Sequence, residues 1–134
     1  MDLNLKDKIA LVTGSSRGLG YATALQLAKE GCKVVINGRD EARVKNAVER
    51  VKKETDTEAL GLVGDASLPD MPAKLIQQTV EAFGGLDILI TNTGGPKPGS
   101  IDSLDEAAWQ TGIDLCLMAH VRLIKSALPH LRKS

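Results

Sequence analysis

The chain has 134 residues, enough for one domain with its own core and too few for two. Seventeen basic side chains balance seventeen acidic ones and aromatics make up 2% of the sequence; neither a positive field nor a base-stacking surface is there to hold nucleic acid, and no charge excess draws the chain to a membrane. No apolar run reaches membrane-spanning length, and Cys32 and Cys116 match no metal or redox spacing, so a cytoplasmic protein with reduced thiols and no metal is expected.

Ile9-Ala10-Leu11-Val12 is the first short aliphatic run, and Thr13-Gly14-Ser15-Ser16-Arg17-Gly18-Leu19-Gly20 comes directly after it. A buried strand running into a glycine-rich bend and then a helix is the sequence form of a phosphate cradle. Gly14 permits the tight turn, while Gly18 and Gly20 remove side chains where a phosphate and the strand approach the backbone. The unpaired first amides of the helix then face an anion at the positive end of its dipole.

Tyr21, Ala24, Leu25 and Ala28 carry the first helical stripe, and Gly31 comes next as a left-handed cap. Val34-Val35-Ile36 is the second strand. Asp40 is positioned to cap a second helix with Val44, Ala47, Val48 and Val51 on its apolar face. Leu60 to Val63 is the third strand, Ile76, Thr79, Val80 and Phe83 mark the third helix before Gly84, and Leu86 to Asn92 is the fourth strand. Short, unalternating aliphatic runs are those of strands covered on both faces. Strand-helix repetition of this kind predicts an α/β fold: a Rossmann-like, doubly wound parallel sheet in order 3-2-1-4, sandwiched between helices in three αβα layers.

Ser103-Leu104-Asp105-Glu106 has the form of a capping box opening a last, long helix that carries Trp109. Its stripe of Leu117, Val121, Ile124, Leu128 and Leu131, widened by Leu115, Met118, Ala119 and Leu123, exceeds what packing on one sheet needs, and a second partner is expected there. Pro129 is expected to bend or end the helix. Cys116 reads as a small buried hydrophobe.

These residues together resemble the N-terminal, cofactor-binding half of the short-chain dehydrogenases/reductases, over essentially all 134 residues as one partial domain that ends before a fifth strand. Thr13-Gly14-x-x-x-Gly18-x-Gly20 matches that family's cofactor motif. Asp65-Ala66 is similar to its adenine-recognising pair, and Asn92-Thr93-Gly94 to its strand-end Asn-Asn-Ala-Gly motif, with the form Asn92-Thr93-Gly94-Gly95-Pro96 resembling a 3-oxoacyl-reductase-like branch. Taken singly, Asp65 could equally cap a loop and Asn92 a strand end. The resemblance implies a nicotinamide dinucleotide on Gly14, Ser15, Ser16, Arg17, Gly18, Leu19, Gly20, Asn37, Arg39, Asp65, Ala66, Asn92, Thr93 and Gly94.

An NAD site places an acid at the end of the second strand to hold the ribose 2′-OH. Here Asn37-Gly38-Arg39 stands there. Arg39, with Arg17 in the loop, suits a 2′-phosphate, so NADP(H) is expected over NAD(H). The family's chemistry implies a Tyr-x-x-x-Lys pair, a serine and a helical asparagine. The only tyrosine is Tyr21, with Leu25 four residues on, and Cys116 occupies the asparagine position, so no catalytic residue is assigned. Three readings remain open: a cofactor-binding half inactive alone, a reductase completed by a further half, and an assembly subunit that no longer binds cofactor. The apolar last helix and the exposed Leu86 to Ile90 edge predict a homodimer or higher even oligomer.

Overall fold

A computed structural model describes residues 1–134. The strands β1 (Ile9–Val12), β2 (Lys33–Gly38), β3 (Ala59–Val63) and β4 (Ile88–Ile90) alternate with α1 (Gly18–Lys29), α2 (Glu41–Glu54) and α3 (Met71–Phe83). All pair in parallel in the order β3-β2-β1-β4, with Ala10 opposite both Val34 and Ile88. The sheet order and three-layer architecture expected from the sequence are the ones found.

Successive strand side chains point to opposite faces, and each face is covered. Ala10, Val12, Val34 and Ile36 pack with Ala24, Ala28, Val44, Ala47 and Val51 of α1 and α2. Leu11 and Val35 point the other way, onto Leu75 and Ile76 of α3 and Leu123 and Ala127 of the final helix. Each fully buried aliphatic side chain contributes about 1.5–3 kcal/mol relative to exposure, so the central strands anchor the domain from both sides. Gly31 (φ 92°) and Gly84 (φ 88°) adopt the left-handed backbone that ends α1 and α3.

The fourth strand is shorter than its apolar run, and at both ends side chains add to the backbone ladder. Before Ile88, the Asp87 carboxylate accepts from the Ile9 amide at 2.8 Å. After Ile90, the Thr13 hydroxyl accepts from the Asn92 amide and donates to the Asn92 carbonyl, both at 2.8 Å.

The C-terminal region departs from its sequence expectation in four ways. The helix does not open at Ser103, whose hydroxyl closes a turn with Ser100; α4 (Glu106–Ile113) is capped by Asp105, which accepts from the Ala108 amide at 2.8 Å. It is not continuous: a π turn at Asp114–Met118 separates α4 from α5 (Ala119–Leu131). The extra residue of a π turn rotates the rest of the helix, so the buried seam is Ala119, Leu123 and Ala127, while Ile113, Leu117, Val121, Ile124 and Leu128 stay 37 to 55% exposed. Cys116 is exposed rather than buried, because it sits on the outer side of that turn. Pro129 does not stop α5, which runs on to Leu131; in the last turn the lost N–H removes a single bond.

Candidate functional site

All four strands end in loops around one cleft of about 750 Å³ at the C-terminal edge of the sheet, where doubly wound folds place their ligands. Gly14 and Ser16 to Leu19 form one wall, Asn37 to Asp40 with Arg43 a second, Gly64 to Ser67 a third, and Asn92 to Gly95 with Leu115 the last. A smaller groove of about 320 Å³ between α3 and α5 holds His130 but none of the expected site residues.

The glycine loop is shaped by two close approaches. Gly14 has φ 56°, and a Cβ on it would lie 2.8 Å from the Asn92 carbonyl oxygen. A Cβ on Gly20 would collide with the Gly14 carbonyl oxygen, so Gly20 lets helix and loop pack and does not itself line the cleft. Gly18 differs: with φ 61°, its missing side chain would point into open space. Beside it, α1 begins with no side-chain cap and no acid in its first turn, which leaves the first amides and the positive dipole end facing the cleft.

Two expected ligand residues turn inward. The buried Ser15 hydroxyl donates to the Val12 carbonyl at 2.6 Å and accepts from the Asn37 amide at 2.9 Å. The buried Asn37 side chain accepts from the Gly14 amide at 3.2 Å and donates to the Leu62 and Gly64 carbonyls at 3.0 and 3.1 Å. Its amide therefore ties the ends of β1, β2 and β3 together and has no donor left for a ligand.

Asn92 donates from Nδ2 to the Gly14 carbonyl at 2.9 Å, joining the β4 loop to the glycine loop. The Thr93 hydroxyl donates to the Leu115 carbonyl at 3.0 Å, pinning the same loop to the π turn. Asp65 Oδ1 accepts from the Ser67 amide at 2.9 Å and from its hydroxyl at 2.7 Å. One carboxylate oxygen thus performs the loop-capping role, with Ala66 buried beside it. Asp40 caps α2, accepting from the Arg43 amide at 3.1 Å. Arg17, Arg39 and Arg43 are exposed around this end of the cleft.

Sequence reasoning missed Arg43, Ser67 and Leu115. A signal existed for Arg43, three residues past the N-cap Asp40, because helical side chains lean toward the N-terminus. None existed for Leu115, since a π turn leaves no mark on residue periodicity. The cysteines lie in unlike settings. Burial first, then the nearby Asp87 and Glu30 carboxylates, push the Cys32 thiol above its usual range and keep it protonated, whereas Cys116 lies at the surface.

The fold and cleft define a Rossmann-like α/β domain whose first βα turn is built to receive an anion. The profile described as short chain dehydrogenase matches residues 8–134. The chain belongs to the short-chain dehydrogenase/reductase family. It is 33% identical over 127 residues to an uncharacterised oxidoreductase of Staphylococcus saprophyticus, covering 95% of this chain and 54% of that one. Human dehydrogenase/reductase SDR family member 4 is 32% identical over 130 residues, 96% of this chain and 46% of the relative. Among solved structures, L-sorbose reductase of Gluconobacter frateurii, complexed with NADPH and L-sorbose, superposes with a TM-score of 0.95 at 32% identity, covering 99% and 51% of the two chains. The NADH-dependent reductase A1-R′ complexed with NAD gives 0.92 at 31% identity, covering 99% and 55%. The chain spans about half the length of these relatives.

Proposed function

We propose that these residues form the NADP(H)-binding part of an oxidoreductase that interconverts a carbonyl and an alcohol. The bound nicotinamide would supply the hydride. The glycine loop and the first amides of α1 hold the pyrophosphate, Asp65 and Ala66 flank the adenine, and Asn92 to Gly94 form the floor toward the nicotinamide. Gly18 and Gly94 fit this role, since the space a Cβ would fill at either is empty.

The observation that carries the preference for NADP(H) is the charge at the end of β2. Arg17 and Arg39 line the cleft there, and the adjacent acid, Asp40, is turned to the amide of Arg43. No acidic clamp stands at the end of β2, where Gly38 carries no side chain and a Cβ would lie 2.7 Å from the Ser16 hydroxyl, which would have to turn aside. A charge-assisted phosphate contact contributes about 1.5–3 kcal/mol, so NADPH should bind at least about tenfold tighter than NADH. Calorimetric titration of both nucleotides tests this, and Arg39→Ala should remove most of the difference. NADH binding as tightly as NADPH in the unsubstituted chain would exclude the reading.

The 134 residues contain no Tyr-x-x-x-Lys pair, and Cys116 cannot both donate and accept as an amide does. We infer that the chain by itself turns over no ketone. General-acid assistance contributes about 10²–10⁴-fold, and the tyrosine-lysine pair that would supply it is not among these residues. Cofactor binding without turnover supports the binding-module reading; absence of both favours an assembly subunit. The uncovered stripe from Ile113 to Leu128 supports association of the chain into an even oligomer.

A further inference from the structure

We propose that Arg43 is a third cofactor-specificity residue, placed to hold a phosphate monoester at the 2′ position of an adenosine ribose. The inference rests on the NADP(H) reading and assigns part of its selectivity to α2, outside the glycine loop and the β2 end. Three observations converge on it.

The first is charge. The ion pairs of the chain are Lys33 with Glu58 and Arg122 with Asp114, so none of Arg17, Arg39 and Arg43 is paired although all three face one cleft. Three arginines against the carboxylates of Asp40 and Asp65 leave an excess of one positive charge in the cleft. A phosphate monoester carries about −1.5 to −2 at neutral pH and is drawn to unpaired guanidinium groups, whereas a free hydroxyl is not.

The second is the side of α2 on which Arg43 lies. Arg50 places its guanidinium over the Tyr21 ring, 4.4 Å from the centroid. Arg43 lies two turns N-terminal to Arg50, on the face shared with Ala47, and Arg17 lies one turn N-terminal to Tyr21. The Arg50–Tyr21 contact marks the side of α2 that faces α1, and Arg43 lies on that side at the N-terminal end of α2, where it and Arg17 both line the cleft.

The third is backbone fixation. The Asp40 carboxylate holds the Arg43 amide, which locks the first turn of α2. The side chain leans toward the helix N-terminus and so toward the cleft that it lines. The ordered turn leaves only the side-chain rotamers of Arg43 to be fixed when an anion binds.

Calorimetry with 2′,5′-ADP and 5′-ADP tests the assignment on the unsubstituted chain, Arg43→Ala and Lys45→Ala. Lys45 is an exposed cation of the same helix that does not line the cleft. Arg43→Ala should weaken 2′,5′-ADP by about tenfold and 5′-ADP by less than about twofold, the scale of one charge-assisted contact. Lys45→Ala should change neither. Discrimination that survives Arg43→Ala overturns the role of Arg43 while leaving the NADP(H) reading intact. Equal loss in Lys45→Ala overturns it too, because the effect would be that of a diffuse field. Equal affinity of the unsubstituted chain for the two nucleotides overturns the NADP(H) reading, and the Arg43 assignment with it.

Discussion

Asn92 and Gly14 hold each other in place across the mouth of the sheet. The asparagine donates to the glycine carbonyl at 2.9 Å, and its own carbonyl oxygen stands 2.8 Å from where a Cβ of residue 14 would be. Gly14→Ala would meet both that oxygen and an unfavourable φ of 56°. A loss of about 2–4 kcal/mol is expected, together with loss of nucleotide binding. Urea unfolding with and without NADPH measures both, and a variant as stable as the parent would show that the loop can move aside.

Asn37 should behave as a structural residue in spite of its place in the cleft wall. Asn37→Leu keeps the bulk and leaves the Gly14 amide and the Leu62 and Gly64 carbonyls without their partner. At about 1–3 kcal/mol for each buried group left unpaired, a loss of about 3–5 kcal/mol is expected. Asn37→Asp keeps the acceptor for Gly14 and turns a donor toward two carbonyls into an anion, which should be no better. Denaturation midpoints decide; a change confined to nucleotide affinity would return Asn37 to the ligand set.

Acid should loosen the β1–β4 seam through Asp87. Partial burial pushes its carboxyl up, but the Ser134 hydroxyl, the Ile9 amide and the Lys8 charge outweigh this and hold it below the usual carboxylate range. A group whose folded value is depressed contributes stability above its unfolded value, about 3.9, and loses it as pH falls through the folded one. Urea midpoints should therefore drop below about pH 4, and less steeply in Asp87→Asn. Parallel curves for the two proteins from about pH 6 to 2.5 would remove Asp87 from the account.

The exposed stripe should drive association. Ile113, Leu117, Val121, Ile124 and Leu128 form one apolar band, and β4 is an edge strand that is only half buried. Covering such a band gains about 25 cal/mol per Å² of apolar area before association costs. Light scattering should give an even multiple of 14.2 kDa. Leu117→Glu should shift it toward the single chain; an unchanged mass would place the contact elsewhere.

Residue type and spacing by themselves determined the strand order, the glycine cradle, the Asp40 cap and the arginines at the end of β2. Each depends on local chemistry: an apolar run, a positive φ, a carboxylate one turn before an amide. The tertiary structure alone decided which polar residues of that region remain free. Ser15 and Asn37 look like ligands in one dimension, yet both turn inward and spend their donors on neighbouring strand ends. Folding likewise brought Arg43 of α2 to the cleft that Arg17 of the glycine loop also lines, although no local pattern links the two. The π turn at Asp114–Met118 interrupts the last helix, and Cys116 within it lies at the surface. One inserted residue per turn changes the direction of every later side chain while leaving the spacing of the sequence untouched.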